Sequence, residues 1–470
     1  MKTPFLPTIL ATALFSQTAL ATVVTNSTDE DNGSLGGGAG ISLREAVKYS
    51  ASGSIITFSA ALSGQTIRLT GGVLQIFKSL TIDASSLPGG LTLSADRTGN
   101  GITADDTYVL LCGIGDLVLN SLTLTGANCG ESAGCIKIYD KAPVALTLDH
   151  CTLTGNSGYH GAALWAQGLY TGSSITIRNS TFSRNSAVKG AAGINSHGFA
   201  VTIQNSTFTG NSGGAVYFSN GTLSINHATL SGNTAFAYAG INVGSHSNNN
   251  ITIQNTICAG NRPTNKNDFA FTGTNNLFSG DALLAPLGNY GGPTHTMPPL
   301  PNPRSSAIDS ASYPPAFATD QRGFLRQGKP DIGAVEYQTQ SSPSDLARFW
   351  RLDFDGDGSP YGTEQALGTD PLSSDAADTR NLTRPTFSPA GHPVLSFGIT
   401  TNFASGTRWI LERSPDLTPG SFTEIYRATY NTSASAPGIS FVRTATSVTV
   451  TDENPLPGGG FYRFGARLGP

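Results

Sequence analysis

The chain has 470 residues, only 12% of which are charged, and its net charge at pH 7 is −4. It contains no run of basic residues, so we expect no nucleic-acid partner. Its length exceeds that of one ordinary domain. Glycine is abundant, with 56 residues, but the regular alternation of Ile, Leu, Val and Phe with polar residues indicates packed structure and not a disordered chain.

The first residues have the pattern of a secretory signal. Lys2 is followed by a mostly apolar stretch from Phe5 to Phe15 and by Ala19-Leu20-Ala21. A positive start, a short apolar region and a small-x-small end predict cleavage after Ala21. The stretch is too short to span a bilayer, and no later apolar run is long enough. We therefore predict an exported chain that has no transmembrane segment after cleavage and lies outside the cell or at its surface.

A short helix is predicted near the start of the mature chain. Ser42 followed by Glu45 fits a capping box, so Ser42–Tyr49 is expected to be a helix that covers the first coil of the fold. Its apolar face consists of Leu43, Ala46 and Val47. The first predicted strands are Ile55–Phe58, Thr66–Leu69 and Leu80–Ile82.

One short phrase, in which apolar residues alternate with polar ones, recurs five times. The copies are Leu146–Asn156, Ile175–Asn185, Val201–Asn211, Leu223–Asn233 and Ile251–Asn261, and a weaker copy begins at Leu117. Alternation of apolar and polar residues is the pattern of a β-strand. A phrase that recurs every ~20–50 residues is typical of a stacked repeat. A strand, an Asn-marked turn and a Gly-rich return make about one coil, so the phrase predicts a parallel β-helix.

The last Asn of each copy recurs at one position of the coil. Stacked amides at such a turn predict an Asn ladder, in which each side chain bonds its neighbour in the stack and the local backbone. The ladder residues are Asn156, Asn185, Asn211, Asn233 and Asn261. His150 and His227 take a second position that Asn179, Asn205 and Asn255 fill in other copies. We interpret both histidines as substitutions within a column and not as metal ligands.

Two further regions follow the repeats. Leu287–Tyr337 is rich in Pro and Gly and is predicted to be irregular structure that closes the other end of the coils, followed by a linker, Gln338–Ser344. From Arg384 onward, short alternating runs separated by turn residues predict a small antiparallel sandwich. These runs are Val394–Phe397, Trp409–Leu411, Phe422–Tyr426, Ser447–Val450 and Phe461–Phe464.

The chain has five cysteines, an odd number for an exported protein. Cys129 and Cys135 bracket a short loop and could form a disulfide. Cys112, Cys151 and Cys258 occupy different positions of the repeat, so we expect them to be buried thiols that act as small apolar residues.

The strongest chemical motif is an acidic loop, Asp353–Glu364 (DFDGDGSPYGTE), which matches the twelve-residue calcium pattern D-x-D-x-D-G-x5-E. Carboxylates at alternate positions converge on a hard cation, Gly358 permits the sharp bend, and Glu364 can close the shell. A backbone oxygen or a water would serve at Tyr361. The predicted calcium ligands are Asp353, Asp355, Asp357, Ser359, Tyr361 and Glu364. We interpret this Ca²⁺ as structural, in a stiffened linker.

Carboxylates are scarce where polysaccharide chemistry would need them. No Asp or Glu lies between His150 and Asn267. Hydrolysis of a polysaccharide needs an acid paired with a base, and a calcium-assisted lyase reaction needs acidic calcium ligands beside a basic residue. A lyase site could be assembled only from residues on earlier or later coils. The candidates are Asp116, Glu131, Asp140 and Asp149 on the earlier coils and Asp268 and Asp281 on the later ones. We assign no catalytic residue.

The same carboxylate-free stretch carries five cations: Arg178, Arg184, Lys189, Arg262 and Lys266. Aromatic residues fall in or near the return segments: Tyr159, Trp165, Tyr170, Phe199, Tyr217 and Tyr238. Exposed aromatics with scattered cations would suit a weakly acidic glycan. The alternative is that the rings fill gaps between coils. A row of exposed aromatics along one face would favour the first interpretation.

Three segments together resemble a known group. ISLREAV at Ile41–Val47 resembles the SLREA head motif of bacterial surface β-helices. Phe182–Asn185, Phe208–Asn211 and Gly213–Val216 resemble the FxxN and GGA motifs of polymorphic outer-membrane proteins. The segment NYGGPT…SSAID…TDQRGF…DIGAVE resembles the closing region of choice-of-anchor Q proteins. The resemblance implies an exported right-handed parallel β-helix at or beyond the cell surface, associated with the outer membrane, and brings no catalytic residue.

The C-terminal part has its own resemblances. DFDGDG…GTDP is similar to thrombospondin type-3-like calcium segments of bacterial surface proteins, and LERSPDL with GGGFYRFGARL is similar to C-terminal sandwich modules of exported bacterial proteins. The predicted fold class is thus all-β, a right-handed parallel β-helix followed by a small antiparallel β-sandwich. The predicted domains are a signal (1–21), the β-helix (22–337), a calcium-binding linker (338–380) and the sandwich (381–470).

The function that best fits these features is that of a scaffold or adhesin-like protein, secreted or at the surface, that contacts glycans or a cell surface. The alternative is a pectate-lyase-like polysaccharide lyase acting on an acidic polysaccharide. The lyase hypothesis requires two or more of Asp116, Glu131, Asp140 and Asp149 beside a Lys or Arg on one sheet face.

Overall fold

The structure is a computed structural model of the chain. It describes residues 21–103, 106–130, 134–168, 170–245, 249–300, 305–337, 386–390, 392–398, 407–414, 423–428, 433–444, 447–456 and 461–468. Most of the predicted signal and the whole predicted calcium loop lie outside the described residues. Glu131, one of the four carboxylates named for a lyase, also lies outside them.

Residues 21–277 wind into a parallel β-helix, as the repeats predict. The first sheet has nine parallel strands. They are Ala21–Val24, Ser54–Phe58, Leu80–Asp83, Gly115–Asn120, Val144–Asp149, Ser174–Arg178, Ala200–Gln204, Thr222–Asn226 and Asn250–Gln254. At about 4.8 Å per strand step, this sheet is about 38 Å long.

Two further parallel sheets complete each coil, with eight strands in the second and seven in the third. The second comprises Thr66–Arg68, Leu91–Ser94, Leu122–Thr125, Thr152–Thr154, Thr181–Ser183, Thr207–Thr209, Thr229–Ser231 and Ile257–Cys258. The third comprises Leu74–Ile76, Leu110–Cys112, Ile136–Tyr139, Leu164–Gln167, Ile194–His197, Val216–Ser219 and Ile241–Val243. A small fourth sheet joins Asn128–Cys129, Ser157–Gly158 and Ser186–Ala187.

The register of the first sheet follows the repeat. The first residues of the successive copies pair with one another in order: Leu117, Leu146, Ile175, Val201, Leu223 and Ile251. All six are buried, as are the apolar residues two positions later in each copy. A slip by one residue would turn this whole set to solvent, so burial of one face fixes the register.

The predicted helix is confirmed and spans Leu43–Tyr49. The Ser42 side chain accepts a hydrogen bond from the Glu45 backbone N–H, and the Glu45 carboxylate accepts one from the Ser42 N–H. Leu43, Ala46 and Val47 are buried, and the helix contacts the outermost strand of the first sheet. A single turn of 3₁₀-helix occurs at Ala60–Leu62.

The Asn ladder is confirmed, and it runs without interruption. The backbone N–H and side-chain amide of each ladder Asn both donate to the carboxamide oxygen of the next, for example from Asn185 to Asn211 at 3.2 and 2.9 Å. The same amide also reaches a backbone carbonyl of an earlier coil, as Asn211 does with Phe182 at 3.0 Å. Each ladder residue is therefore satisfied in two directions inside the core.

Left-handed backbone does not fall on the ladder residues themselves. It falls on the residue before each one, which is Gly in every coil except that of Arg184, with φ near 54 to 72°. It falls also on the second column, where Asn179 has φ 52° and His227 has φ 51°. Since Asn and Gly tolerate this conformation best, the histidines are substitutions within that column.

The closing segment contacts both the last coil and the wall of earlier coils. Ala282, Ala307 and Ile332 cover the last coil, because they pack with Ile257 and Ala259. The described residues between Thr294 and Ala334 also run back along the coil wall and hydrogen-bond coils more than 100 residues earlier in the chain. We call residues 294–300 and 305–334 the strap.

The strap and the residues just after it carry buried charges. Asp320 pairs with Arg322 at 2.7 Å and Glu336 with Arg326 at 3.3 Å. Burial raises the pKa of Asp331 to about 7, and the nearby Glu336 adds to the rise. The Arg326 side chain reaches the Asn205 side-chain oxygen at 3.1 Å, so the charged cluster lies between strap and coil.

The C-terminal region is an antiparallel two-sheet sandwich, as predicted. One sheet contains Thr386–Phe387, Pro393–Gly398, Ser447–Asp452 and Ile439–Arg443, in that order. The other contains Ser433–Ser435, Thr423–Ala428, Thr407–Ser414 and Phe461–Leu468. Their facing side chains, including Leu411, Tyr426 and Val450, form a separate core.

The disulfide between Cys129 and Cys135 that the sequence left possible is not formed, since no two cysteines among the described residues are bonded. Cys135 lies in the core, where burial raises its pKa well above the usual value, whereas Cys129 is half-buried on the edge of the fourth sheet. The other three thiols are buried as predicted, and burial raises the pKa of Cys112 to about 11. In the described part of the chain, no helix has the length and apolar character needed to cross a membrane.

Candidate functional site

The outer face of the third sheet carries an ordered column of side chains that includes a lysine and two aromatic rings. Register places one outward residue of each strand in a single column: Gln75, Leu111, Lys137, Trp165, Asn195, Tyr217 and Asn242. Six strand steps of about 4.8 Å make this column about 29 Å long. We call it the outer column.

Further rings lie beside the outer column. Tyr139 is two residues beyond Lys137 on the same strand and is 43% exposed, and Phe77 is 42% exposed. A Cβ on Gly113 would come within 2.8 Å of the Phe77 ring, so the absence of a side chain at Gly113 lets that ring lie flat on the sheet. Phe77 and Tyr139 lie in the neighbouring column, two residues beyond the outer column, whereas Trp165 and Tyr217 are half-buried members of the outer column. These four rings share one face of the sheet, and we call them the aromatic row.

Lysine ammonium groups lie over these rings. The Lys137 nitrogen is 5.0 Å from the centre of the Tyr108 ring and 5.5 Å from that of Trp165, and it donates to the Tyr108 hydroxyl at 3.1 Å. Lys141 lies 5.8 Å from the centre of Phe77. Cation–π contacts of this kind hold the charge at the face and orient the rings.

Grooves open at both ends of the outer column. One, between the first helix and the third sheet, includes Gln75 and Phe77 and is bordered by Lys48 and Lys78. The other lies between return loops and includes Asn242. Between them, Asn195 is buried because its amide donates to the His160 carbonyl oxygen of a neighbouring loop at 2.8 Å.

The aromatic residues named from the sequence lie in different settings, and Tyr159 is a half-buried loop residue whose ring lies under Lys189. Trp165 and Tyr217 belong to the outer column, and Tyr170 and Tyr238 are exposed in loops. Phe199 is wholly buried in the core, so for this residue the gap-filling interpretation holds. Phe77, Lys137 and Tyr139 were not predicted, because they precede the carboxylate-free stretch after His150 in which the other residues were named.

The carboxylates named for a lyase do not gather among the described residues. Asp116 pairs with Ala145 and Asn120 with Asp149, so the two aspartates lie four residues apart along the first sheet, about 13 Å. Asp140 follows the third sheet and is buried, where it accepts a hydrogen bond from the Ser173 hydroxyl at 2.9 Å. The geometry required by the lyase hypothesis is therefore not met by these three residues.

Asp149 is held as a structural carboxylate. It contacts His150 and Arg178, each at 2.9 Å, and accepts a hydrogen bond from the Asn179 amide at 3.0 Å. Partial burial by itself would raise its pKa, but these hydrogen bonds and charges outweigh burial and lower the pKa to about 2. Such a strongly ionised, fully engaged group is a poor proton acceptor.

No cluster of three His, Cys, Asp or Glu side chains suited to a metal ion occurs within the described ranges. The predicted calcium ligands at Asp353–Glu364 lie outside those ranges, so the calcium site stays a prediction. The spacing of the acidic residues in the sequence is the only support for this site.

Comparisons with known proteins give one similar structure. It is the tailspike protein gp49 from Acinetobacter baumannii bacteriophage Fri1, a capsular polysaccharide depolymerase, at 10% identity, over 89% of this chain and 76% of that chain, with a TM-score of 0.25. Such a low TM-score assigns no function to this chain. No family model and no curated protein matches it. The resemblances to choice-of-anchor Q and thrombospondin type-3-like proteins therefore stay predictions.

Proposed function

We propose that this protein is an exported β-helix rod that binds glycan chains along the outer face of the third sheet. The observation that carries the proposal is the aromatic row of Phe77, Tyr139, Trp165 and Tyr217 on one face of the sheet, with Lys137 beside Trp165. Flat rings offer apolar area to the C–H faces of sugars, and polar rims orient their hydroxyl groups.

The shape of the face suits a polymer. Strand stacking repeats the same backbone every 4.8 Å or so, which presents side chains in a straight line about 29 Å long. A rod with such a line can contact several sugar residues at once, and many weak contacts then add to a useful affinity. Export, predicted from the first 21 residues, would bring this face to surface or extracellular polysaccharides.

Two variants test the proposal. Trp165→Ala removes the central ring of the row, and we expect it to weaken binding to a bound polysaccharide about tenfold or more, as loss of a central aromatic contact does. Trp165→Phe keeps a ring and should retain most of the affinity. Binding would be measured by calorimetry and by affinity electrophoresis against pectate, alginate, glycosaminoglycans and neutral glucans.

The matched control is Phe387→Ala, which removes a ring that is 71% exposed on the sandwich and outside the third sheet. It should bind as the unchanged protein does. The proposal fails if no polysaccharide binds, or if Trp165→Ala binds normally while its melting temperature is unchanged. Release of unsaturated uronate from pectate or alginate would replace it with the lyase alternative.

Calcium enters the proposal as a structural ion. We propose that Asp353, Asp355, Asp357, Ser359, Tyr361 and Glu364 hold Ca²⁺ in the segment between β-helix and sandwich. Support comes from the sequence alone, in which oxygen-bearing residues and Gly358 recur at the spacing of a calcium loop. The ion would have no part in glycan contact.

A further inference from the structure

A groove between return loops of the β-helix is lined by exposed apolar residues and a lysine, which the repeated phrase does not require. It lies between three stacked return loops, Ala187–Gly190, Ser212–Gly213 and Thr234–Tyr238, and has a volume of about 620 Å³. Single β-bridges from Ser186 to Ser212 and from Ser212 to Thr234 tie the loops to one another. The floor of the groove is therefore set by the coil stack. We call it the loop groove.

Large apolar side chains stand in solvent at the loop groove. Phe236 is 103% exposed, and Val188 and Tyr238 are exposed beside it. The same coils bury Phe182, Phe208 and Phe218 completely, so the chain has room for rings in its core. Apolar side chains left together in solvent mark a contact surface more often than chance placement.

The charge around the loop groove has one sign. Lys189 is exposed, its nitrogen lies 5.4 Å from the centre of the Tyr159 ring, and no carboxylate among the described residues pairs with it. Residues 151–266, which include all three loops, contain five Lys or Arg residues and no Asp or Glu. An anion is therefore the favoured partner, because no carboxylate in this stretch of the chain would repel it.

We propose that the loop groove binds an acid-bearing sugar residue, carboxylated or sulfated, with its ring against Phe236 and Tyr238 and its anionic group on Lys189. The inference rests on the proposed glycan-binding function and deepens it, because Asn242 belongs both to the groove and to the outer column. The groove would select acidic chains, while the aromatic row would contact any sugar face.

The test compares polysaccharides that differ only in their acid groups. Polygalacturonate is paired with its methyl ester to test the carboxylate, and heparin is paired with desulfated heparin, which keeps its carboxylates, to test the sulfate. We expect the full chain to bind the acidic member of at least one pair about tenfold more tightly at low salt, and less so as salt rises. Lys189→Gln should remove the difference, and Lys189→Arg should keep it.

The matched control is Arg184→Asn, which removes a charge from the same stretch outside the groove and suits the left-handed backbone there, with φ 54°. It should keep the preference for acid groups. Phe236→Ala should weaken both members of a pair. The inference is wrong if the affinities of the two members of each pair for Lys189→Gln have the same ratio as their affinities for the unchanged protein. That result leaves the proposed function standing, provided that Trp165→Ala still loses affinity for both.

Discussion

His227, a single residue of the second Asn column, affects how the stability of the folded protein depends on pH. It occupies a left-handed site with φ 51° that Asn fills in three other coils, and it is completely buried. Its ring hydrogen-bonds the Asn226 side chain at 2.8 Å, and its other nitrogen has no partner within the described residues. Burial, aided by the positive charge of Arg326, lowers its pKa to about 2, so the folded protein keeps it neutral.

Asp331 changes the pH dependence of stability in the opposite direction to His227. Its pKa is about 7 in the folded chain, so between about pH 4 and pH 7 the folded state holds a proton that the unfolded state has lost. The free energy of unfolding then falls as pH rises through that range. For His227 the unfolded state gains a proton below about pH 6.5 that the folded state does not bind, so the free energy falls as pH falls. The two effects oppose each other between about pH 4 and pH 6.5.

We predict that His227→Asn makes the protein more stable at pH 5 than at pH 8. Asn suits the backbone and can keep the bond to Asn226, and the change removes a penalty of about 1.4 kcal/mol for each pH unit below 6.5. The slope due to Asp331 is then unopposed. The measurement is chemical denaturation from pH 4.5 to 8.5.

Two variants complete that series. His160→Asn removes a half-buried loop histidine and should leave the unchanged protein's pH profile intact. Asp331→Asn should do the reverse of His227→Asn and make the protein lose stability as pH falls. Identical pH profiles for His227→Asn and the unchanged protein would contradict the argument.

At the scale of elements, one buried side chain, that of Gln321, makes several of the hydrogen bonds that hold the strap to the coils. Gln321 is fully buried, accepts a hydrogen bond from the Thr207 hydroxyl at 2.6 Å, and donates to the hydroxyls of Thr181 and Thr294 at 2.9 Å each. Thr229 adds a fourth hydroxyl by accepting from the Ala334 N–H at 3.0 Å. A column of threonines on the second sheet thus serves as the receptor for the strap.

We predict that Gln321→Ala releases the strap while the coils stay folded. The change leaves buried hydroxyl groups without their hydrogen-bond partner. Each such group lowers the free energy of unfolding by about 1–3 kcal/mol. Hydrogen exchange should quicken in the strap and stay slow in the strands of the first sheet. Gln65→Ala, at an exposed glutamine, is the control and should change neither. Equal acceleration in strap and coils would mean that the strap is part of the coil's cooperative unit.

Sequence periodicity predicted the elements that repeat and missed those that do not. The first sheet, the ladder and the capped helix follow from local patterns, because each coil must bury the same face and satisfy the same turn. The third sheet has short strands whose outward residues change from Lys137 to Trp165 to Asn195, so no phrase marks them. Their alignment depends on return loops of unequal length, which only the folded chain shows.

The strap could not be predicted for a different reason. It has no period, and its partners lie far away in sequence, as Gln321 and Thr181 do, 140 residues apart. The candidate site was half visible: Trp165 and Tyr217 were named from the sequence, but Phe77 and Tyr139 acquire meaning only when the register brings them to one face. Local rules cannot supply contacts of this range.

At the scale of the whole molecule, the chain has two bodies with separate cores, the β-helix and the sandwich. The predicted calcium loop belongs to the sequence between them. A calcium loop is ordered when oxygens from several positions share one ion, and removing the ion leaves repelling carboxylates. Calcium should therefore act on the connection and leave the stability of each core unchanged.

We predict that the purified full chain binds one Ca²⁺ through this loop and that Glu364→Gln abolishes binding, because the bidentate carboxylate is lost. Asp370→Asn, an acidic residue just beyond the loop, should bind normally. Terbium luminescence and calorimetry report binding, and limited proteolysis reports the connection. With calcium, cleavage between residues 338 and 385 should slow several-fold, while the melting temperature of the β-helix stays constant. If chelation instead lowers that melting temperature in Glu364→Gln as much as in the unchanged chain, the ion binds elsewhere, and the loop is only an acidic linker.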